Sequence, residues 1–238
     1  MMFRFLLSVL LLIPMIASAK PDESKRRSLP KTVPSAEEPL VDVMALNDRF
    51  LLDLKYATTD NFFGQKVYPV QRCLLRQSVA ERMAQAQKWL DEHHPGLRLM
   101  FKDCYRPDDV QWIMWAAVKG TPKAAYVANP ETVTGSIHSY GGAVDLTLAG
   151  KDGEELDMGT PYDFLGKLAE PRHEARFLKE GKLTELHLKN RRILREAMLG
   201  AGMHMLKNEW WHFNADTAAK VRKKYSRLNV PFEAVARD

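Results

Sequence analysis

Ser136-Ile137-His138-Ser139-Tyr140-Gly141-Gly142-Ala143-Val144-Asp145-Leu146-Thr147-Leu148 is the stretch from which the architecture reads most directly. Residues 143–148 are apolar or β-branched except for Asp145, and a diglycine turn precedes them, which predicts a buried strand. A carboxylate inside such a strand is expensive unless it is paired, hydrogen-bonded or bound to a metal. His138, seven residues earlier, carries a nitrogen suited to the same metal, and the glycines let the chain fold back so that both share one site. The plainer alternative is a surface histidine beside an aspartate that caps a neighbouring element.

Outward from that strand, the pattern alternates between helix and strand periods. Upstream, residues 97–105 predict a second buried strand, interrupted by Lys102-Asp103, and Pro107 is suited to open a helix over 108–117. Residues 76–93 place Val79, Met83, Ala86 and Leu90 three or four apart and stop at Pro95-Gly96, an amphipathic helix. Before it, 40–43 and 51–56 read as a short helix or extended entry and then a strand, and 61–64 turn into a polar loop. Downstream, 162–168 and 189–199 predict helices, and 203–206 and 210–213 strand-like segments. Helices mixed with noncontiguous strands give an α+β fold class, here a single domain over 40–238.

The N-terminus reads as an address. Arg4 is followed by an apolar run over 5–16 and by Ala17-Ser18-Ala19, which predicts a signal peptide over 1–19 cleaved between Ala19 and Lys20. The run is short of the roughly 20 residues of a span, so export to the periplasm is expected, with no stable membrane span after cleavage. Residues 20–39 read as a flexible basic lead-in. The formal charge of +5 does not indicate nucleic acid, because basic and aromatic residues do not interleave on one platform. Arg191-Arg192 and Arg222-Lys223-Lys224 are expected on the wet faces of helices. Cys73 and Cys104 are the only cysteines; an oxidising compartment permits a disulfide between them, and spacing leaves the question open.

Two further clusters bear chemistry. Glu209-Trp210-Trp211-His212 offers a third metal ligand in His212 and a proton carrier in Glu209. A regular strand sends residues three apart to opposite faces, so the two serve one site only where the backbone bends. Asp103-Cys104-Tyr105-Arg106-Pro107 offers Arg106 to an oxyanion, with Asp103 holding the guanidinium; a structural Arg–Asp pair at a strand–helix junction is the alternative.

Taken together, Ser136, His138, Gly141, Ala143 and Asp145 match Ser-x-His-x-x-Gly-x-Ala-x-Asp, and Glu209, Trp211 and His212 match Glu-x-Trp-His. The chain thereby resembles the zinc D-alanyl-D-alanine dipeptidase family, within the larger group of D,D- and L,D-carboxypeptidases. The resemblance implies a central, mainly antiparallel sheet with flanking helices, and one catalytic zinc ion on His138, Asp145 and His212. It implies Glu209 as general base and acid, Arg106 as oxyanion stabiliser, and Tyr56, Ser136, Asp163 and Asp103 as the substrate set, with Asp163 reading the ammonium. The stretches 53–62 and 158–164 resemble the dipeptidase branch, whose substrate is a small D,D-dipeptide. The basic lead-in and Ile137, where a relative carries a second serine, depart from the pattern. A carboxypeptidase acting on longer stem peptides and a noncatalytic zinc-dependent wall-binding protein remain the alternatives, and the oligomeric state is not encoded in these motifs.

Overall fold

The computed structural model describes residues 23–236, so the expected signal peptide and its cleavage point lie outside the described residues. The strands are β1 (Leu40–Asp42), β2 (Leu51–Leu52), β3 (Leu74–Arg76), β4 (Arg98–Asp103), β5 (Ala143–Ala149), β6 (His204–Met205) and β7 (His212–Asn214). The helices are α1 (Gln77–His93), α2 (Asp108–Val118), α3 (Glu174–Lys179), α4 (Glu185–Gly200) and α5 (Ala218–Lys224). Five strands form one sheet in the order β2-β4-β5-β7-β6, parallel only between β2 and β4. β1 and β3 pair separately. The chain is therefore α+β with a mainly antiparallel sheet.

β5 sits in the middle of the sheet with all seven residues buried. α1 and α4 pack on each other, α1 on β4 and α4 on β5. The periodic residues Val79, Met83, Ala86 and Leu90 are buried on α1, and each large one contributes about 1.5–3 kcal/mol as an upper bound. Gln87, buried among them, accepts from Leu99 N (2.8 Å) and donates to Leu97 O (3.0 Å), stitching helix to strand.

The charged interruption in β4 has a geometric solution. Phe101 pairs with Leu146 but Asp103 pairs with Asp145, so two β4 residues oppose one step of β5. Such a bulge re-aims side chains: Lys102 bonds Asp53 and Glu155, while Asp103 faces Arg106 and Tyr68. Cys73 and Cys104, both buried, are disulfide-bonded with Cα atoms 5.2 Å apart. Closing a loop of that length stabilises by roughly 3.5–4 kcal/mol in the chain-entropy picture.

Several expectations need correction. Residues 162–166 are not helical; only Lys167–Ala169 makes a 3-10 turn, because Asp163 adopts φ 61°, a left-handed conformation that breaks a helix. α4 starts four residues before the predicted 189, capped by Thr184 with His187 at the third position. The sequence hid this because His187 is not the usual Glu or Gln of that motif, and Leu186 points to solvent. Pro107 lies just outside α2, with ψ 143°, rather than in its first turn. Arg191 is not on a wet face: it is buried and donates to Met158 O (2.8 Å) and Leu168 O (3.2 Å). Arg192 and Lys223-Lys224 are exposed.

The described part of the lead-in makes specific contacts. Buried Arg76 bonds Glu37 (2.7 Å) and the Glu38 carbonyl (2.6 Å), and Arg26 pairs with Asp109 (2.8 Å). No helix among the described residues is long and apolar enough to cross a membrane.

Candidate metal centre

Register assembles most of the site. Asp145 on β5 faces His212 on β7 and Asp103 on β4. Directly paired residues of antiparallel strands project from one face, so the three side chains form a row across the sheet. His138 arrives from a 3-10 turn, Ile137–Tyr140, capped by Ser136, whose Oγ accepts from His138 N at 3.3 Å. Gly141 ends that turn at φ 70°, and a Cβ there would come within 2.6 Å of Leu40. Glycine satisfies both demands and lets the chain reverse into β5.

His138 Nε2, Asp145 Oδ1 and His212 Nδ1 converge, with separations of 3.2 Å between the nitrogens and 3.3 and 2.9 Å to the carboxylate. A tetrahedral metal with bonds of about 2.0–2.1 Å has ligand–ligand edges of about 3.3 Å. The ring protons are committed elsewhere: His138 Nδ1 donates to Cys104 O (2.7 Å) and His212 Nε2 to Asn214 Oδ1 (2.9 Å). This leaves three lone-pair donors facing one another, a cluster that a cation satisfies. The residues therefore fit a metal ion, and these are the described acidic and imidazole groups that could hold one. Burial opposes ionisation of Asp145, yet the two imidazoles beside it hold its carboxyl well below the usual range.

Glu209 needs a bend to join this row, and the chain supplies it. β7 begins only at His212, after a bend at Trp210-Trp211, and Glu209 Oε2 lies 3.9 Å from His212 Nδ1. The tryptophans pin the bend: Trp210 donates to Thr160 Oγ1 (2.8 Å) and Trp211 packs edge-on against Tyr162. Burial raises the Glu209 carboxyl to about 8, with Asp145 and Asp163 adding to the rise against the pull of His212.

Arg106 is buried. Its Nε and Nη2 donate to Asp103 Oδ2 and its Nη1 to Gln111 Oε1 (2.7 Å). With five N–H donors in all, one hydrogen remains on each terminal nitrogen, and Nη2 is 3.9 Å from Asp145 Oδ2. Asp103 also accepts from Tyr68 (2.6 Å) and Cys104 N (2.9 Å). It stands behind Arg106 and does not line the cavity; it holds the guanidinium and is not brought into reach of a substrate.

Tyr56, Ser136 and Asp163 do line that cavity, of about 300 Å³, together with Arg106, Glu209 and the three convergent ligands. Tyr56 donates to Asp163 Oδ1 (3.0 Å), while Tyr162 donates to Asp145 Oδ2 (3.0 Å). Asp163 Oδ2 is buried without a partner. Burial, then the nearby Asp145 charge, raise the Asp163 carboxyl to about 8. Sequence reasoning missed Tyr162, Gln111 and Asn214. Of these only Asn214 had a signal, since it lies two residues along the strand from His212 and so faces the same side.

A family profile described as D-ala-D-ala dipeptidase matches residues 36–231. A D-alanyl-D-alanine dipeptidase of Escherichia coli K12 is 33% identical over 180 residues, covering 76% of this chain and 86% of the relative. One from Enterococcus faecalis is 33% identical over 177 residues, covering 68% and 83%. One from Streptomyces coelicolor is 30% identical with the same coverage. With the matched region spanning all the convergent residues, the chain belongs to the D-alanyl-D-alanine dipeptidase family of metallopeptidases.

Proposed function

We propose that this chain hydrolyses D-Ala-D-Ala to two D-alanines with a single zinc ion. The observation that carries the reading is that one cavity holds a three-ligand metal centre, a raised-pKa carboxyl and a guanidinium with spare donors. Two imidazoles and a carboxylate also suit other first-row metals; zinc is chosen on the family resemblance. A zinc ion on His138, Asp145 and His212 would polarise the scissile carbonyl and make water easier to deprotonate.

The chain's own groups do the rest. Glu209 accepts a proton from the attacking water at Oε2, where an adjacent dication draws its pKa down from about 8, and returns it to the departing amine nitrogen. Arg106 meets the oxyanion with its free terminal N–H groups, and Asp103 and Gln111 prevent the guanidinium from turning away. Asp163, braced by Tyr56, offers its unpartnered oxygen to the substrate ammonium, whose charge draws the carboxyl pKa down from about 8 on binding. A longer peptide would put a neutral amide in place of the ammonium and remove the compensating positive charge. Export to the periplasm is supported by the leader pattern at 1–19 and by the disulfide.

The test is D-alanine release by the zinc-loaded protein from free D-Ala-D-Ala and from a longer peptide with the same C-terminus, with Glu209→Ala as control. Cleavage of the free dipeptide, lost in the control, is expected. Preference for the longer peptide would make the protein a carboxypeptidase, and no turnover of either would leave a zinc-dependent wall-binding role.

A further inference from the structure

The proposed substrate is a zwitterion, and the groups above account for only one of its charges. Of the arginines lining the cavity, Arg106 is committed to Asp103 and Gln111. Arg222 on α5 lines the same cavity, and no carboxylate within salt-bridge distance of it is found among the described residues. Its Nε is buried and makes no hydrogen bond. α5 packs against the 3-10 turn that carries His138, with Val221 close to Gly142 and Arg222 beside the Tyr140 hydroxyl.

Neighbouring donors point to the same ligand. Asn214 accepts from His212 Nε2 through Oδ1, which fixes its amide flip and leaves the NH₂ group without a hydrogen bond among the described residues. The Ser136 oxygen accepts from His138 N, so its hydroxyl proton is free to donate. All three residues line the cavity. They come from the His138 turn, β7 and α5, whereas Asp163 and Tyr56 come from the loops and are joined by their own hydrogen bond.

We infer that Arg222, aided by the Asn214 amide and the Ser136 hydroxyl, forms an anion subsite that reads the C-terminal carboxylate of the dipeptide. The inference rests on the dipeptidase reading above and deepens it. A guanidinium meets a carboxylate with paired N–H donors, and its unpartnered Nε lacks only the acceptor. The subsite makes Arg222 a specificity residue: a substrate with a blocked C-terminus would leave the cation unpaired, a loss that binding sites of this kind convert into rejection.

The experiment compares kcat/KM for D-Ala-D-Ala and for its C-terminal amide in the wild type, Arg222→Gln and Arg222→Lys, all zinc-loaded and matched for thermal unfolding. The wild type should favour the free acid by at least about tenfold, roughly 1.4 kcal/mol. Arg222→Gln should lose about ten- to a hundredfold on the acid through KM, with little change on the amide, so that the preference collapses. Arg222→Lys, which keeps the charge but not the fork, should retain part of it. An equal loss on both substrates, or on neither, overturns the subsite while leaving the dipeptidase reading intact. Failure of the wild type to cleave the free dipeptide overturns both.

Discussion

Asp103, Asp145 and His212 stand abreast on three hydrogen-bonded strands, whereas Tyr56, Tyr162 and Asp163 come from a 3-10 turn and an irregular loop. The first group cannot move without breaking ladder register. The second has no ladder partner: its members are joined by side chains, Tyr56 to Asp163 and Tyr162 to Asp145, and Tyr56 is fixed further by its carbonyl accepting from Val67 N and Tyr68 N. Asp163 adopts a left-handed conformation that costs about 1–3 kcal/mol. The contrast teaches a division of labour: two of the three convergent ligands sit on the rigid ladder, and the groups proposed to read the substrate ammonium sit on the adjustable loops. The Cys73–Cys104 disulfide joins them, tying the end of the loop that follows Tyr56 to the end of β4.

The metal centre and the Glu209 beside it should respond in kcat and in metal content. Glu209→Gln is expected to lower kcat about 10²–10⁴-fold while zinc binding, measured by competition with a chelating dye, stays near wild type. Removing the staple comes next. Cys73→Ser with Cys104→Ser should cost about 2–4 kcal/mol in denaturant unfolding, and an unchanged midpoint would show that the two walls hold together without it.

The loop wall should answer in KM. Asp163→Asn is expected to raise KM for the free dipeptide about ten- to a hundredfold with a smaller change in kcat, and an unmoved KM would remove Asp163 from substrate recognition. The same variant carries a pH signature. With its folded pKa raised to about 8 from the ordinary 3.8 of an aspartate, Asp163 keeps its proton in the folded state after the unfolded chain has lost it. The folded state thus binds more protons across that window, and stability falls as pH rises from about 4 to about 8. Asp163→Asn should therefore unfold at higher temperature than wild type at pH 8, with the gap closing toward pH 4. The smallest effect belongs to Asn214→Ala, which frees the His212 ring and should weaken zinc binding about tenfold.

The same division explains what the sequence made legible. Period-2 and 3.6-residue patterns found β4, β5, α1 and α2, because those elements are specified by burial. The ligand row followed from spacing and resemblance. The loop wall resisted: nothing in Tyr162-Asp163-Phe164 announces a positive φ, which is imposed by the surrounding packing, so the segment read as a helix. Arg191 misled for a related reason. Its charge suggested solvent, while Met158 and Leu168 carbonyls wait for it inside. Arg222 likewise read as surface because its cavity exists only once α5 docks on the His138 turn.

The central claim is that one cation on His138, Asp145 and His212, with Glu209, performs the hydrolysis. It is tested most directly by stripping the protein of metal and titrating zinc back while following D-alanine release from D-Ala-D-Ala. The account predicts that activity rises linearly and saturates at one equivalent, that His212→Ala neither takes up that equivalent nor turns over, and that Glu209→Gln takes it up without turnover. Full activity in the stripped protein, or in Glu209→Gln, would contradict it.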